Sequence, residues 1–229
     1  MTFMLVAITD ITKGIQAKEI DLLMNLLSIE KKQGVQKITC SATLHQTLVA
    51  DILARFIICR FLGVSNHSLK FSRTDYGKPF QKNHPKLHFN LSHCATHVVC
   101  ALGTLPVGID IENIYHIDFM RIAKKLYTPE EYRYVVIGKK TSIQQKRFYE
   151  IWCKKESRVK WEGKGFSTPL NSFCTVNKNA NESIHFYNII EEPEVLGCLC
   201  YEGNVAPCIK KVHLQELLDF AHEQLNLRE

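Results

Sequence analysis

Apolar residues recur along this chain with two periods, close to two and close to 3.6, and each predicts its own element. Residues 3–8 form a continuous apolar run that predicts a strand. Residues 17–27 carry Ile20, Leu23, Met24 and Leu27 at helical spacing, and residues 44–62 repeat it through Leu48, Ile52, Phe56 and Cys59. Gly63 is placed to end that helix, because glycine accepts the left-handed conformation past a C-terminus. A turn-rich stretch follows at 74–85, punctuated by Gly77 and Pro79. Residues 87–91 alternate Leu87, Phe89 and Leu91 against His88 and Asn90, and 98–102 and 107–112 predict two further short strands. The second half predicts helices at 118–126, 129–137 and 142–162, the last stopped by Gly163 and Gly165. Strands are expected at 172–176, 183–190, 196–201 and 205–209, and a closing amphipathic helix at 212–225.

Both halves therefore mix helices and strands, an α/β (α+β) class with no repeat at the level of identity. Gly103 and Pro106 interrupt two strand signals, which predicts a boundary near Leu105–Pro106 and a division into 1–105 and 106–229. A chain of 229 residues has room for one large domain or two small ones.

Composition removes several classes. With 45% hydrophobic and 23% charged residues the chain is neither a disordered tail nor a fibre. No apolar run approaches the roughly 18 residues of a spanning segment. The apolar run at 3–8 lacks a basic flank and a small-residue cleavage site, so no signal peptide or membrane role is expected, and the location expected is the cytoplasm. Nine cysteines without a C-x-x-C pair read as reduced thiols, and Cys198 and Cys200 as small hydrophobes on one strand face. The net charge of +6 is dispersed rather than gathered into a stripe, so it suits an acidic or phosphorylated partner without implying nucleic acid.

Four short segments could carry chemistry. In Val107-Gly108-Ile109-Asp110-Ile111-Glu112, strand alternation puts Asp110 and Glu112 on one face with Gly108. Two such carboxylates suit a hard cation holding water and substrate phosphate, although a half-exposed strand would show the same pattern. In Trp152-Cys153-Lys154-Lys155-Glu156-Ser157-Arg158-Val159-Lys160, Glu156 and Lys160 share a helix face, as a surface ion pair or as an acid completing a metal site beside a basic rim that meets phosphates; Trp152 and Tyr149 read as core. Phe89-Asn90-Leu91-Ser92-His93 brings Ser92 and His93 to a strand end, where side chains reach ligands; no G-x-S-x-G elbow surrounds Ser92. Gly77-Lys78-Pro79 is a turn with one base. Neither a P-loop nor a G-x-G-x-x-G fingerprint occurs.

In this order, G-K-P, F-N-L-S-H, G-I-D-I-E and W-C-K-K-E-S-x-x-K with its following G-K-G-F resemble the 4′-phosphopantetheinyl transferases, of the surfactin-synthetase-activating (Sfp-like) type. The resemblance implies a monomer of two similar α/β halves related by pseudo-two-fold symmetry. The first half would hold the adenylate end of coenzyme A and the second the metal and catalytic groups. The implied reaction moves the phosphopantetheine arm of coenzyme A onto a serine of an apo fatty-acid, polyketide or nonribosomal-peptide carrier protein, releasing adenosine 3′,5′-bisphosphate. By the same resemblance Asp110, Glu112 and Glu156 would hold Mg²⁺, with Glu156 and Lys160 catalytic. Lys160, Ser92 and His93 would meet phosphates, Lys78 and Pro79 the adenine, and Lys31 the 3′-phosphate. Glu131 is a weaker acid candidate. Gly34 and Gln46 stand where relatives often carry Lys and Arg, so weaker discrimination against 3′-dephospho-coenzyme A is expected unless Lys32 or Lys37 substitutes. The alternative reading is a catalytically silent nucleotide- or metal-binding relative.

Overall fold

The computed structural model describes residues 2–176 and 183–227. The strands are β1 Met4–Asp10, β2 Phe71–Arg73, β3 Pro79–Gln81, β4 His88–His93, β5 His97–Gly103, β6 Val107–Asn113, β7 Ile184–Glu192, β8 Val195–Glu202 and β9 Cys208–Lys211. The helices are α1 Ala17–Met24, α2 Ile29–Gln36, α3 Ser41–Leu62, α4 Phe119–Leu126, α5 Pro129–Val136, α6 Thr141–Glu162 and α7 Leu214–Asn226. One sheet runs β4-β5-β1-β9 and a second β6-β8-β7, with β2-β3 a small hairpin apart. Pairing is antiparallel throughout except for β9, which joins β1 in parallel.

The two larger sheets pack face to face. Alternation explains why: Met4, Val6 and Ile8 of β1, Val99 and Ala101 of β5, and Val107, Ile109 and Ile111 of β6 share one buried cluster with Leu199 of β8. The opposite face of the first sheet, through Ala7, Val98, Cys100 and Leu102, packs on α1, α3 and α7. The outer face of the second, through Leu196 and Cys198, packs on α4, α5 and α6. A strand buried on both faces reads as an unbroken apolar run, as 3–8 does. Each half thus repeats one plan, a sheet backed by a helix of 22 residues, α3 or α6. Both long helices end on a left-handed glycine, Gly63 (φ 66°) and Gly163 (φ 70°), as their sequences predict.

Among the described residues α3 alone is long and apolar enough to cross a membrane; 61% of its most apolar 18-residue window is buried inside the protein. It is the central helix of the first half. The nine cysteines are unpaired, and Cys198 and Cys200 are buried on β8.

The edges β4 and β6 meet without a backbone ladder. Side chains stitch them instead: Asn90 Oδ1 accepts from the Ile109 amide (2.9 Å), Ser92 Oγ from the Ile111 amide (3.4 Å) and Asn113 Oδ1 from the Ala95 amide (2.8 Å). The polar alternation in Phe89-Asn90-Leu91-Ser92-His93 is therefore a seam between the halves.

Three expectations change. α2 escaped the pattern because its eight residues bury only Val35 and include Gly34; a Ser28 cap on the Lys31 amide (3.3 Å) marks its start. Residues 172–176 are not a strand. Their backbone groups are satisfied by side chains, Phe173 O by Lys155 (2.7 Å) and the Thr175 amide by Glu131 (2.8 Å), so no ladder forms. The strand expected at 205–209 starts at Cys208, just past Pro207, which cannot donate to a ladder. The junction at Leu105–Pro106 falls between β5 and β6, but β9 and α7 return to the first half, against β1, α1 and α3.

Candidate active site

The site grows from the contact of β6 with α6. A Cβ on Gly108 would stand 2.0 Å from Ser157 O and 2.3 Å from Trp161 N, so only glycine lets the helix backbone lie this close to the strand. The face of β6 bearing Gly108, Asp110 and Glu112 is consequently turned to α6 and not to water. Trp152, Glu156 and Lys160, four apart on α6, line the same cleft.

One cleft of about 510 Å³ gathers Lys31, Ser92, His93, Asp110, Glu112, Trp152, Glu156 and Lys160. Lys160 Nζ donates to Asp110 Oδ1 (2.6 Å) and to Ser92 Oγ (2.9 Å), and Ser92 Oγ donates to Asp110 Oδ1 (3.0 Å). Trp152 Nε1 donates to Glu112 Oε1 (3.2 Å), so Trp152 belongs to the site as well as to the core. Asp110 Oδ2 is buried without a hydrogen-bond partner among the described residues. Burial, and then the neighbouring Asp110, push the Glu112 carboxyl up to about 7 and raise that of Glu156. Burial, then Lys160, lower the His93 imidazole. As they stand, no three His, Cys, Asp or Glu side chains among the described residues are disposed to close on one ion; Lys160 holds one oxygen of Asp110 and Trp152 one of Glu112.

Lys78 lines a groove of about 200 Å³ together with Pro79 and Lys160, and it also braces the end of α6. Its buried amine donates to Val107 O (3.1 Å), Lys160 O (2.6 Å) and Trp161 O (3.2 Å). It thus satisfies carbonyls left open where α6 ends. Pro79 lines a groove of about 200 Å³ beside Lys160, and also a second cavity of about 570 Å³ that meets the cleft at Lys31, Thr47, Asp51 and Leu91. Glu131 lies outside all of these. Fully buried, it pairs with the equally buried Lys155 (2.7 Å), accepts from the Thr128 amide (2.9 Å) at the start of α5, and holds Thr175. A larger cleft of about 920 Å³, lined by Asp10, His97, Glu192 and His213, contains none of the expected residues.

The family model for the 4′-phosphopantetheinyl transferase superfamily matches residues 106–206, and that for the N-terminal region of such enzymes matches 15–104. The chain is 36% identical over 161 residues to 4′-phosphopantetheinyl transferase Sfp of Bacillus subtilis (strain 168), covering 70% of this chain and 71% of that protein. It is 34% identical over 209 residues to 4′-phosphopantetheinyl transferase gsp of Aneurinibacillus migulanus, covering 86% of each. This chain is a 4′-phosphopantetheinyl transferase of the Sfp-like type. A more distant likeness, 26% over 156 residues, links it to L-aminoadipate-semialdehyde dehydrogenase-phosphopantetheinyl transferase of Mus musculus.

Several residues that shape the cleft of this transferase were not singled out as site residues in the sequence. Trp152 was placed in the core, although its spacing of four from Glu156 already put it on the same face. Thr47 and Asp51 come from α3, whose near-uniform apolarity hides a polar wall. Asn90 was legible as a polar position, but its partner on β6, the Ile109 amide, lies 19 residues away.

Proposed function

We propose that this transferase moves the 4′-phosphopantetheine arm of coenzyme A to a serine hydroxyl of an apo carrier protein, in a Mg²⁺-dependent reaction that releases adenosine 3′,5′-bisphosphate. The observation that carries the reading is one cleft that gathers Asp110, Glu112 and Glu156 beside Lys160 and in which Asp110 Oδ2 is buried with no hydrogen-bond partner among the described residues. Hard oxygen donors of this kind suit a divalent cation. Asp110, Glu112 and Glu156 would hold it; when bound, Mg²⁺ supplies charge neutralisation to the diphosphate.

The protein's own groups then have definite tasks. Transfer of this kind depends on positioning and charge stabilisation more than on covalent catalysis. The carrier serine oxygen forms a bond to the phosphorus bearing the pantetheine arm. The bond from that phosphorus to the bridging oxygen breaks, and the electron pair leaves with the adenosine bisphosphate. Lys160 stands ready to offset the charge gathering on the leaving phosphate. Ser92 and His93 at the end of β4 can donate to phosphate oxygens. Glu156, its carboxyl raised by burial and by Asp110, or a water in the cleft would take the serine proton. Lys78 and Pro79 would border the adenine and Lys31 would meet the 3′-phosphate, while the Lys78 amine also orders the helix end that presents Lys160. The reading is of a monomer in the cytosol, with carrier domains as partners and no role for nucleic acid or membrane.

The test is incubation with coenzyme A, Mg²⁺ and apo carriers of the fatty-acid, polyketide and peptide classes, followed by intact mass. The expected result is a gain of one arm on at least one carrier, abolished by EDTA and by Glu156→Gln. No gain on any carrier refutes the reading; turnover by Glu156→Gln at the wild-type rate removes Glu156 from both its roles.

A further inference from the structure

The strand that carries the carboxylates is held unequally on its two sides. β6 is tied to β8 by a backbone ladder along its whole length, from Val107 opposite Tyr201 to Asn113 opposite Val195. Against β4 no backbone ladder forms among the described residues, and the register rests on side chains. That register bears on the chemistry, because β4 ends in Ser92 and His93 while β6 carries Asp110 and Glu112. A slip of one strand along the other would change the distance between the groups that meet phosphate and the carboxylates.

Three side chains set the register, and two of them also face the ligand cavities. Asn90 lines the groove at Gly163, and Ser92 Oγ, 3.4 Å from the Ile111 amide, is shared with Lys160 and Asp110. Asn113 is different. It is buried, and it lines neither the acid cleft nor the cavity beside it. Its Oδ1 accepts from the Ala95 amide (2.8 Å), and its Nδ2 donates to Thr96 Oγ1 (3.1 Å) and to Glu194 O (3.5 Å). The turn it grips is itself braced, since the Cys94 amide donates to His97 O (2.9 Å) and the Ile11 amide to Thr96 O (2.8 Å). On the other side Glu194 O also accepts from the Ile114 amide (2.8 Å). Asn113 therefore joins the β4–β5 turn, two residues past His93, to the end of β6, one residue past Glu112, and to the β7–β8 turn.

We propose that Asn113 is a positioning residue of this transferase: by clamping the β4–β5 turn to the end of β6, it sets the spacing between Ser92 and His93 on one strand and Asp110 and Glu112 on the other. The inference rests on the transferase reading above. Asn113 lies outside the acid cleft and acts through the placement of the groups that line it. A carboxamide suits this post because it accepts at one atom and donates at the other, so one side chain serves both turns.

The experiment compares wild type, Asn113→Ala, Asn113→Asp and Gln224→Ala. Transfer from coenzyme A to one apo carrier is followed by intact mass for kcat and KM, and hydrogen exchange of the Ala95, Ile109 and Ile111 amides by NMR. Gln224 is the control for stability: it is as deeply buried, its Oε1 accepts from the Asn66 amide (2.7 Å), and it lines neither cavity. Asn113→Ala should lower kcat by about ten- to hundredfold, the cost of a misplacement near 1 Å, with the donor KM changed by less than about threefold. Exchange at the three amides should quicken by about tenfold or more, as the seam opens locally. Gln224→Ala should keep kcat within about threefold of wild type and leave those amides unchanged. Asn113→Asp keeps an oxygen for the Ala95 amide and should lose less rate than the alanine variant; where Asn113→Ala does not fold, Asn113→Asp must still lose more kcat than Gln224→Ala. The assignment is overturned if Asn113→Ala keeps the wild-type kcat, raises KM alone, loses no more rate than Gln224→Ala, or leaves the three amides exchanging as in wild type. A wild type that transfers to no carrier overturns the transferase reading itself, and the assignment with it.

Discussion

Gly108→Ala isolates the contact on which the cleft depends. The glycine has no positive φ, so alanine brings no backbone strain and the perturbation is steric alone. Its Cβ would meet Ser157 O at 2.0 Å, Trp161 N at 2.3 Å and Trp161 Cα at 2.8 Å, all of them helix backbone that cannot rotate aside. Restoring an ordinary contact of about 3.5 Å requires α6 to withdraw by about 1.5 Å. Overpacking of this kind costs about 1–3 kcal/mol, and a rigid helix backbone argues for the upper end. For a chain of this length that is a fall in Tm of about 2–4 °C per kcal/mol. The withdrawal also carries Lys160 away from Asp110 and Trp152 away from Glu112, now at 2.6 and 3.2 Å. A misplacement of about 1 Å among reacting groups costs about a hundredfold in rate. The control is Gly197→Ala on β8, whose added carbon would meet only side-chain atoms of Ile189 and Ile190, the nearest at 2.9 Å. Tm by calorimetry and transfer by intact mass are measured on both variants. Gly108→Ala should lose more stability than Gly197→Ala and nearly all its rate. A Gly108→Ala protein that keeps wild-type Tm and turnover refutes the close-approach argument.

Two further outcomes follow from the buried charges. Glu131→Ala strands the Lys155 amine, fully enclosed by Glu131, Leu170 O and Phe173 O, and should cost about 3–5 kcal/mol in urea melts; the double variant Glu131→Ala with Lys155→Met should recover part of that loss. In EDTA, Glu112 titrates at about 7 in the fold against an ordinary 4.5, so the native state binds more protons than the unfolded chain between those values. Stability therefore declines as pH climbs from about 4.5 to 7, and Glu112→Gln should flatten that part of the Tm–pH curve; identical slopes for wild type and variant would count against the raised carboxyl.

Much of the architecture was open to inspection because local physics writes it into the residue order. Uninterrupted apolar runs announced the strands buried on both faces, the 3.6-residue period announced α1, α3 and α6, and glycines 63 and 163 announced where the long helices stop. Three of the four motifs also meet in the cleft, since Asp110 and Glu112 lie on one pleated face and Glu156 and Lys160 one helical turn apart. The short α2 was hidden because it buries a single residue, and 172–176 misled because its apolar run is held by the side chains of Lys155 and Glu131.

Residue order by itself thus determined most of the elements, the acidic and basic positions, and the family. Only the tertiary structure decided which partners those positions meet. It set the Lys78 amine against the end of α6, put Glu131 in a closed ion pair, and brought Trp152 onto Glu112. Periodicity reports the face a side chain occupies within its own strand or helix. What stands across from that face is set by the packing of elements far apart in the chain, and a local pattern carries no record of it.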